Sequence, residues 1–544
     1  MTSDSAPPDG QPPDSRPYDS PQELSRRYGP NYRWYVTITG MVGVVSMVLA
    51  MTTVNVAVPD VMGAFGIGQD KAQWMSSAYA AAMTAGMLMN AWITGVLGER
   101  RTFVGALFFF SMGALMGGAA PTEDVLIIFR TVQGFSAGVA QPLVMAIIFS
   151  VFPAERRGMA MGVFGLGVVF APAIGPTMGG MMIEYFSWRY VFYISLPFCA
   201  LAAVLGLLFM PTRPLPKQIP PFDWLGFALL CSALLGLMTG IADGQREGWT
   251  SDTIVLRLTV GGLAAVGFVL WELHTPRAMI DIRIFANVEF AAAAMIAFVF
   301  GFGMNGSTYV IPVFVQTIIG FTPLLAGLMM MPAGIMLAFI FPLAGRMADA
   351  IPASTMIIAG LLLFTTGFIF MCTADVATTF WTLVSFVMIS RLGLGFINPS
   401  LNASSLKALP ADKVRQGAGI ANFMRQLGGA FGTNLLVAFF EVRTHFHAEA
   451  LTATQDWGNP TSRRLIALVE QIMLQAKGLP LQQQKAGAYD YLGTLVFAKA
   501  EMLAFSDTFI VIGLVGLIAL IPAAMLSRQQ RRGRGFALLG KIAR

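Results

Sequence analysis

Ala171-Pro172-Ala173-Ile174-Gly175-Pro176-Thr177-Met178-Gly179-Gly180 puts two prolines and three glycines inside an apolar stretch, where a membrane-spanning helix should be most regular. Proline removes an i to i−4 hydrogen bond, and glycine removes the bulk that keeps neighbouring backbones apart. The segment therefore predicts a helix that is bent and closely packed against another, suited to act as a hinge or a seal between two bundles.

The surrounding sequence says which solvent that helix occupies. The chain is 56% hydrophobic and 12% charged, with a mean hydropathy of +0.67. Apolar runs recur near the ~20 residues a helix needs to cross a bilayer. About fourteen spans follow, at roughly 34–57, 73–95, 102–119, 125–151, 158–182, 189–210, 223–242, 254–273, 289–316, 323–344, 354–373, 377–405, 416–440 and 506–526. Basic clusters mark alternate loops: Arg26, Arg27 and Arg33; Arg100 and Arg101; Arg156 and Arg157; Arg213 and Lys217; Arg277 and Arg283; Arg346; Lys407, Lys413 and Arg415; and Arg528, Arg531, Arg532 and Arg534. Intervening loops such as Pro121-Thr122-Glu123-Asp124 carry few positive charges, so both termini are expected in the cytoplasm and the span count is even. The net charge of +6 is explained by this topology, and no nucleic-acid partner is expected. Met1 to Asn31 is rich in Pro, Ser and Asp and lacks an apolar core; residues 1–32 read as a disordered tail rather than a signal peptide. Cys199, Cys231 and Cys372 lie in or beside apolar runs without metal-ligand spacing and read as packing residues.

Residues 441–505 form one long polar loop, on the outer face by this topology. It has helix-compatible stretches and reads as an extracytoplasmic hairpin, either a tolerated insertion or a docking or gating element. His445 and His447 have no third partner in the sequence, so no metal site is expected.

Polar residues inside apolar runs cost free energy in hydrocarbon and mark cavities or helix contacts. Arg130 in the fourth run shares a helical face with Gln133. Holding an arginine at mid-helix costs about 2.5–3.5 kcal/mol, so a buried guanidinium must find acceptors. The alternative is that Arg130 merely caps carbonyls or snorkels outward near the end of the span. Asn55 in the first run, Asn305, Tyr309 and Gln316 in the ninth, Arg391, Asn398 and Asn402 in the twelfth, and Asn422, Arg425 and Gln426 in the thirteenth continue the theme. Interhelical hydrogen bonds serve for any single amide; for the set, a polar-lined substrate cavity is the expectation.

Together these residues resemble the major facilitator superfamily, specifically its fourteen-span drug:proton antiporters of the EmrB/QacA type. Arg130, Gln133 and Gly134 match the family's Arg-x-x-Gln-Gly pattern. Gly175, Pro176, Gly179 and Gly180, preceded by Pro172, match the Gly-Pro-x-x-Gly-Gly ending of its antiporter motif. Trp188 to Pro197 looks like the family's Trp-Arg-x-x-Phe-x-x-Asn-x-Pro, with Ser195 for asparagine, and Asn422 to Gly429 is similar to its thirteenth span. The resemblance implies an all-α integral membrane fold of two six-helix bundles plus two extra helices. Its divisions would be a tail at 1–32, an N-terminal bundle at 33–210, linker helices at 211–285, a C-terminal bundle at 286–527 that includes the loop 441–505, and a basic tail at 528–544. It further implies alternating access, export from the inner membrane, a role for Arg130 and the Pro172 to Gly180 motif in coupling and gating, a proton gradient as energy source with no cofactor, and, from the long loop, a periplasmic adaptor and outer-membrane channel as partners.

Three departures qualify that match. Leu49 to Pro59 follows the family's Leu-Asp-x-Thr-x-x-Asn-Val-Ala-x-Pro pattern but places Ala50 at the acid. Gly95-Val96-Leu97-Gly98-Glu99-Arg100-Arg101 shortens the family's Gly-x-Leu-Ala-Asp-Arg-x-Gly-Arg-Arg loop. Gly345-Arg346-Met347-Ala348-Asp349 is a partial second copy, with Ala350 for arginine. A proton-coupled exporter needs a group that titrates, and neither Ala50 nor an arginine supplies one. The remaining candidates, Asp60, Asp124, Glu184 and Asp349, read as solvated or helix-end charges. Without the first-span acid, Arg130 and Arg425 favour neutral or acidic lipophiles over cations. An importer, or an exporter of a narrow substrate such as a fatty acid, siderophore or metabolite, is the nearest rival. A chain with three histidines and no zinc cluster, phosphate loop or catalytic triad pattern is not expected to be an enzyme.

Overall fold

In hydrocarbon every backbone N–H and C=O must be satisfied within its own segment, which makes helices of the long apolar runs. The computed structural model describes residues 21–67, 69–72, 74–212, 219, 221–275, 279–455, 458–477 and 481–529. The terminal stretches 1–20 and 530–544 lie outside the described residues, with Arg213, Lys217, Arg277 and the side chains of Asn55, Pro172 and Pro176. In chain order the long helices are α1 (Tyr32–Thr53), α2 (Trp74–Leu97), α3 (Glu99–Gly118), α4 (Glu123–Val151), α5 (Arg157–Tyr185), α6 (Leu196–Phe209), α7 (Trp224–Glu247), α8 (Asp252–His274), α9 (Val288–Thr317), α10 (Pro323–Ala350), α11 (Ala353–Met371), α12 (Phe380–Lys407), α13 (Val414–Thr452), α14 (Pro460–Lys477) and α15 (Leu481–Ile518). Among the described residues there is no strand, and 12 helices are long and apolar enough to cross a membrane. Two further long helices, α5 with 29 residues and α13 with 39, pack among them.

Local chemistry sets where these helices begin. The Gly226 N–H donates to Asp223 Oδ1 at 2.9 Å at the start of α7, and Asn287 Oδ1 accepts from Glu289 and Phe290 at the start of α9. Between α2 and α3 stands a single residue, Gly98, with φ of 77°. A side chain is strained in that left-handed region, so only glycine turns this corner cheaply.

Lipid tails are as apolar as leucine, so helix pairing depends on close backbone contact rather than on a hydrophobic drive. Gly134 and Gly138 of α4 lie directly against the Tyr79 and Met83 carbonyls of α2, and Gly86 of α2 returns the contact at the Phe135 carbonyl. One buried cluster joins Val44, Phe103, Phe110, Leu143 and Phe164 of α1, α3, α4 and α5; a second joins Ile296, Phe314, Phe364, Val387 and Phe509 of α9, α11, α12 and α15. Leu230 of α7 and Phe268 of α8 pack with Phe290 and Ile420 of α9 and α13.

One sequence expectation changes, and one gains detail. Residues 21–31, read as tail, are helical (Pro21–Tyr28, then Gly29–Asn31). Leu24 is buried and Tyr28 sets its ring edge on Phe209, apolar anchoring that a composition count over the whole tail averages away. The loop 441–505 is almost wholly helical: α13 runs on to Thr452, α14 follows, and α15 starts at Leu481.

Gly138→Val should cost at least the 1–3 kcal/mol typical of overpacking, because its new carbon meets the Met83 carbonyl rather than a flexible side chain. Gly105→Ala, whose carbon meets nothing within 4 Å, should be neutral. Thermal unfolding followed by fluorescence-detected size exclusion checks the pair.

Candidate functional site

Helix α5 has two seams. It runs unbroken through the Pro172 to Gly180 segment. In that half, Gly175 lies on Thr52 Oγ1 of α1, and a side-chain carbon at Gly179 would stand 2.9 Å from the Thr53 carbonyl. Gly180 faces open space. In the other half the partner is α10: a carbon at Gly162 would stand 2.5 Å from the Phe341 carbonyl, and one at Gly345 would stand 2.7 Å from the Gly158 carbonyl. This second seam lies at the end of the molecule that carries Arg100, Arg101, Arg156, Arg157 and Arg346, the basic end.

Charge locks the second seam. The Gly158 N–H donates to Asp349 Oδ1 at 2.6 Å and the Met159 N–H to Asp349 Oδ2 at 3.0 Å. These are unsatisfied donors of the first turn of α5, where the helix dipole also favours an anion. A second tie lies across the same end, where Arg415 at the start of α13 meets Glu99 at the start of α3 at 3.4 Å. Glu99 is 3% exposed, so this pair is less screened than a surface bridge. Gly98 sets the turn into this corner, and Arg100 Nε is held at 2.7 Å by the Met210 carbonyl. Asp60, Asp124 and Glu184, the other candidate carboxylates, are exposed.

Arg130 is fully buried. Its Nε donates to the Met75 carbonyl at 3.2 Å, Nη1 donates to Gln133 Oε1 at 3.2 Å, and the guanidinium lies 4.3 Å from the centre of the Tyr79 ring. The Tyr79 hydroxyl donates to the Met47 carbonyl at 3.1 Å, which joins α1, α2 and α4 through one side chain. Arg130 Nη2 and Gln133 Nε2 are buried with no hydrogen-bond partner among the described residues. Two donors thus stand unused side by side. Gly134, next in the motif, provides the backbone contact with Tyr79 described above.

The remaining polar residues fall into small groups. Asn402 Nδ2 donates to Asn398 Oδ1 at 2.9 Å on α12, and Asn398 lies against Gly165 of α5. On α13, Arg425 Nη2 donates to Asn422 Oδ1 at 2.6 Å, and Asn422 Nδ2 reaches the Ala418 carbonyl at 2.9 Å and Met145 Sδ of α4 at 3.0 Å. Both groups therefore face the first half of the chain. Asn305 packs against Gly429, Tyr309 is 47% exposed, Gln316 donates to the Pro312 carbonyl of its own helix, and Gln426 is half-buried. Arg391 donates to Thr308 Oγ1 at 3.2 Å. Ala50 is buried, so nothing acidic occupies that point of α1.

Other groups emerge only in three dimensions. His447 and Arg443 both reach Asp507 Oδ2 at 2.7 Å, tying α13 to α15. Asp507 had no signal in the sequence beyond its charge. Among the described residues no group of three or more His, Cys, Asp or Glu could hold a metal.

Such a bundle of apolar helices, tied by charged groups at one end and holding unused donors within, is that of a membrane transporter. The Major Facilitator Superfamily model matches residues 24–433, and the chain belongs to that superfamily, whose members are transporters rather than enzymes. It is a multi-pass inner-membrane protein. It is similar to the uncharacterized MFS-type transporter YcnB of Bacillus subtilis, 30% identical over 73% of this chain and 84% of that one. It is also similar to the multidrug export protein EmrB of Haemophilus influenzae, 25% identical over 87% of this chain and 92% of that one. The human organic anion transporter MFSD10 shares the fold, with a TM-score of 0.58 at 14% identity over 89% of this chain and 99% of that one.

Asp349→Ala removes two charge-assisted hydrogen bonds, worth about 1.5–3 kcal/mol each. A cysteine placed at Met159 should then react with a membrane-impermeant maleimide at least about tenfold faster from the basic end. An unchanged rate contradicts the lock.

Proposed function

We propose that this protein is a secondary active exporter of lipophilic or amphiphilic compounds, working by alternating access and driven by protons. The observation that carries the reading is the double seam of α5. Gly175 and Gly179 hold one half to α1, whereas Gly158, Gly162 and the Asp349 lock hold the other to α10. A helix fixed at one end and clasped by a few hydrogen bonds at the other can let the basic end open while the glycine seam stays shut. The export named for EmrB of Haemophilus influenzae supports the same direction.

Charge sets the substrate class. The unused donors of Arg130 and Gln133, the half-buried guanidinium of Arg425 and the alanine at position 50 favour neutral or weakly acidic lipophiles. The carboxylate that would bind a cationic drug on α1 is missing. That absence also favours a second reading, a narrow-substrate exporter or an importer with unusual coupling. The helical hairpin of α14 and α15 is the surface we assign to a periplasmic adaptor and outer-membrane channel.

Proteoliposomes with and without an imposed pH gradient test both halves of the proposal. A weak-acid uncoupler should move several-fold faster with the gradient and faster than a cationic dye; preferential flux of the dye, or flux indifferent to the gradient, overturns it. Arg130→Gln should lower uptake of the weak acid at least about tenfold, the loss expected when a charged hydrogen-bond donor is removed.

A further inference from the structure

A cavity of about 570 Å³ opens on the side of the molecule, outside every group described above. Its walls include Ala85 and Ile93 of α2, Gly105 and Phe109 of α3, Phe135 of α4 and, across a gap, Phe227 of α7. Phe109 is 52% exposed and Leu97 at the rim is 44% exposed, both on spanning helices, so the cavity opens to the hydrocarbon. Its hydroxyls are turned inward: Thr131 donates to the Ile127 carbonyl, Ser136 to the Val132 carbonyl and Thr102 to the Ile93 carbonyl. The wall that remains is apolar.

One charge stands at the mouth. Arg101 lines the cavity at the basic end, is exposed, and has no ion-pair or hydrogen-bond partner among the described residues. Its neighbours are committed, Arg100 to the Met210 carbonyl and Glu99 to Arg415. Along α3 the cavity runs from Arg101 to Phe109, about 12 Å at the helical rise, which is close to the ~15 Å of hydrocarbon in one leaflet.

We propose that this groove is a binding site for an anionic phospholipid of the cytoplasmic leaflet, with the phosphate on Arg101 and one acyl chain lying between α2, α3, α4 and Phe227. A guanidinium matches phosphate oxygens in pairs and an apolar trench matches a chain. The lipid adds to a narrow contact between α2 and α7, where Leu88 clusters with Leu230 and Trp92 stands edge-on to Phe222 just before α7. The site does not depend on substrate or direction of transport.

Native mass spectrometry of the full-length protein in detergent, titrated with phosphatidylglycerol or phosphatidylcholine of matched chains, reads the site. One basic residue near a membrane surface is worth about 1 kcal/mol, so wild type should prefer phosphatidylglycerol about fivefold. Arg101→Lys should keep that preference and Arg101→Gln should abolish it. Gly105→Phe projects into open space in the groove and should displace one lipid of either kind, whereas Gly105→Ala should displace none. A preference that survives Arg101→Gln, equal binding of the two lipids by wild type, or an unchanged lipid count in Gly105→Phe with its elution volume intact overturns the proposal.

Discussion

Helix backbones brought into contact by glycine are the constraint on which the rest of this molecule depends. Hydrocarbon offers helices no reason to associate beyond close contact and a few shared hydrogen bonds. Three crossings that carry polar groups here are built this way. Gly134 and Gly138 seat α4 on α2, which brings Arg130 over the Tyr79 ring. Gly158, Gly162 and Gly345 seat α5 on α10, which brings Asp349 to the first free N–H groups of α5. Gly428 and Gly432 seat α13 on Phe298 and Phe302 of α9, in the helix that holds Asn422 and Arg425.

The arrangement also separates what is fixed from what can move. Contact of α5 with α1 through Gly175 and Gly179 is mostly backbone against a neighbouring hydroxyl and carbonyl, and it has no charge to lose. At the basic end the ties are charged: Asp349 of α10 with the first N–H groups of α5, and Glu99 with Arg415. Moving a two-state equilibrium from one side to the other takes about 5.5 kcal/mol. Two or three charge-assisted bonds of about 1.5–3 kcal/mol each lie in that range, strong enough to hold one state and weak enough for a bound substrate to release.

Much of this was legible in the residues. Long apolar runs separated by basic clusters announce a helical membrane protein, and Arg130 with Gln133 inside such a run announces a buried charge. The motif from Pro172 to Gly180 announces a close helix contact, which Gly175 and Gly179 make and Gly180 does not. What escaped was partnership. Asp349 reads as a helix-end charge, and it is one, but the N–H it caps at Gly158 lies 191 residues earlier. Glu99 sits in a shortened loop that lacks the family's aspartate, yet it meets Arg415, 316 residues away. His445 and His447 show no third ligand in the sequence, and the carboxylate that His447 meets, Asp507, comes from another helix. Periodicity records which face is buried; it holds no record of which distant residue will cover it.

Spin labels at the basic ends of α5 and α10, in nanodiscs, read whether the clasp opens while the glycine seam holds. A second pair on α1 and the far half of α5 serves as the reference. With a weak-acid lipophile and a pH gradient, the α5 to α10 distance distribution should broaden or split toward longer separations while the α1 to α5 distance stays fixed. A single unchanging α5 to α10 distance during turnover, or movement at the α1 seam instead, would contradict the mechanism.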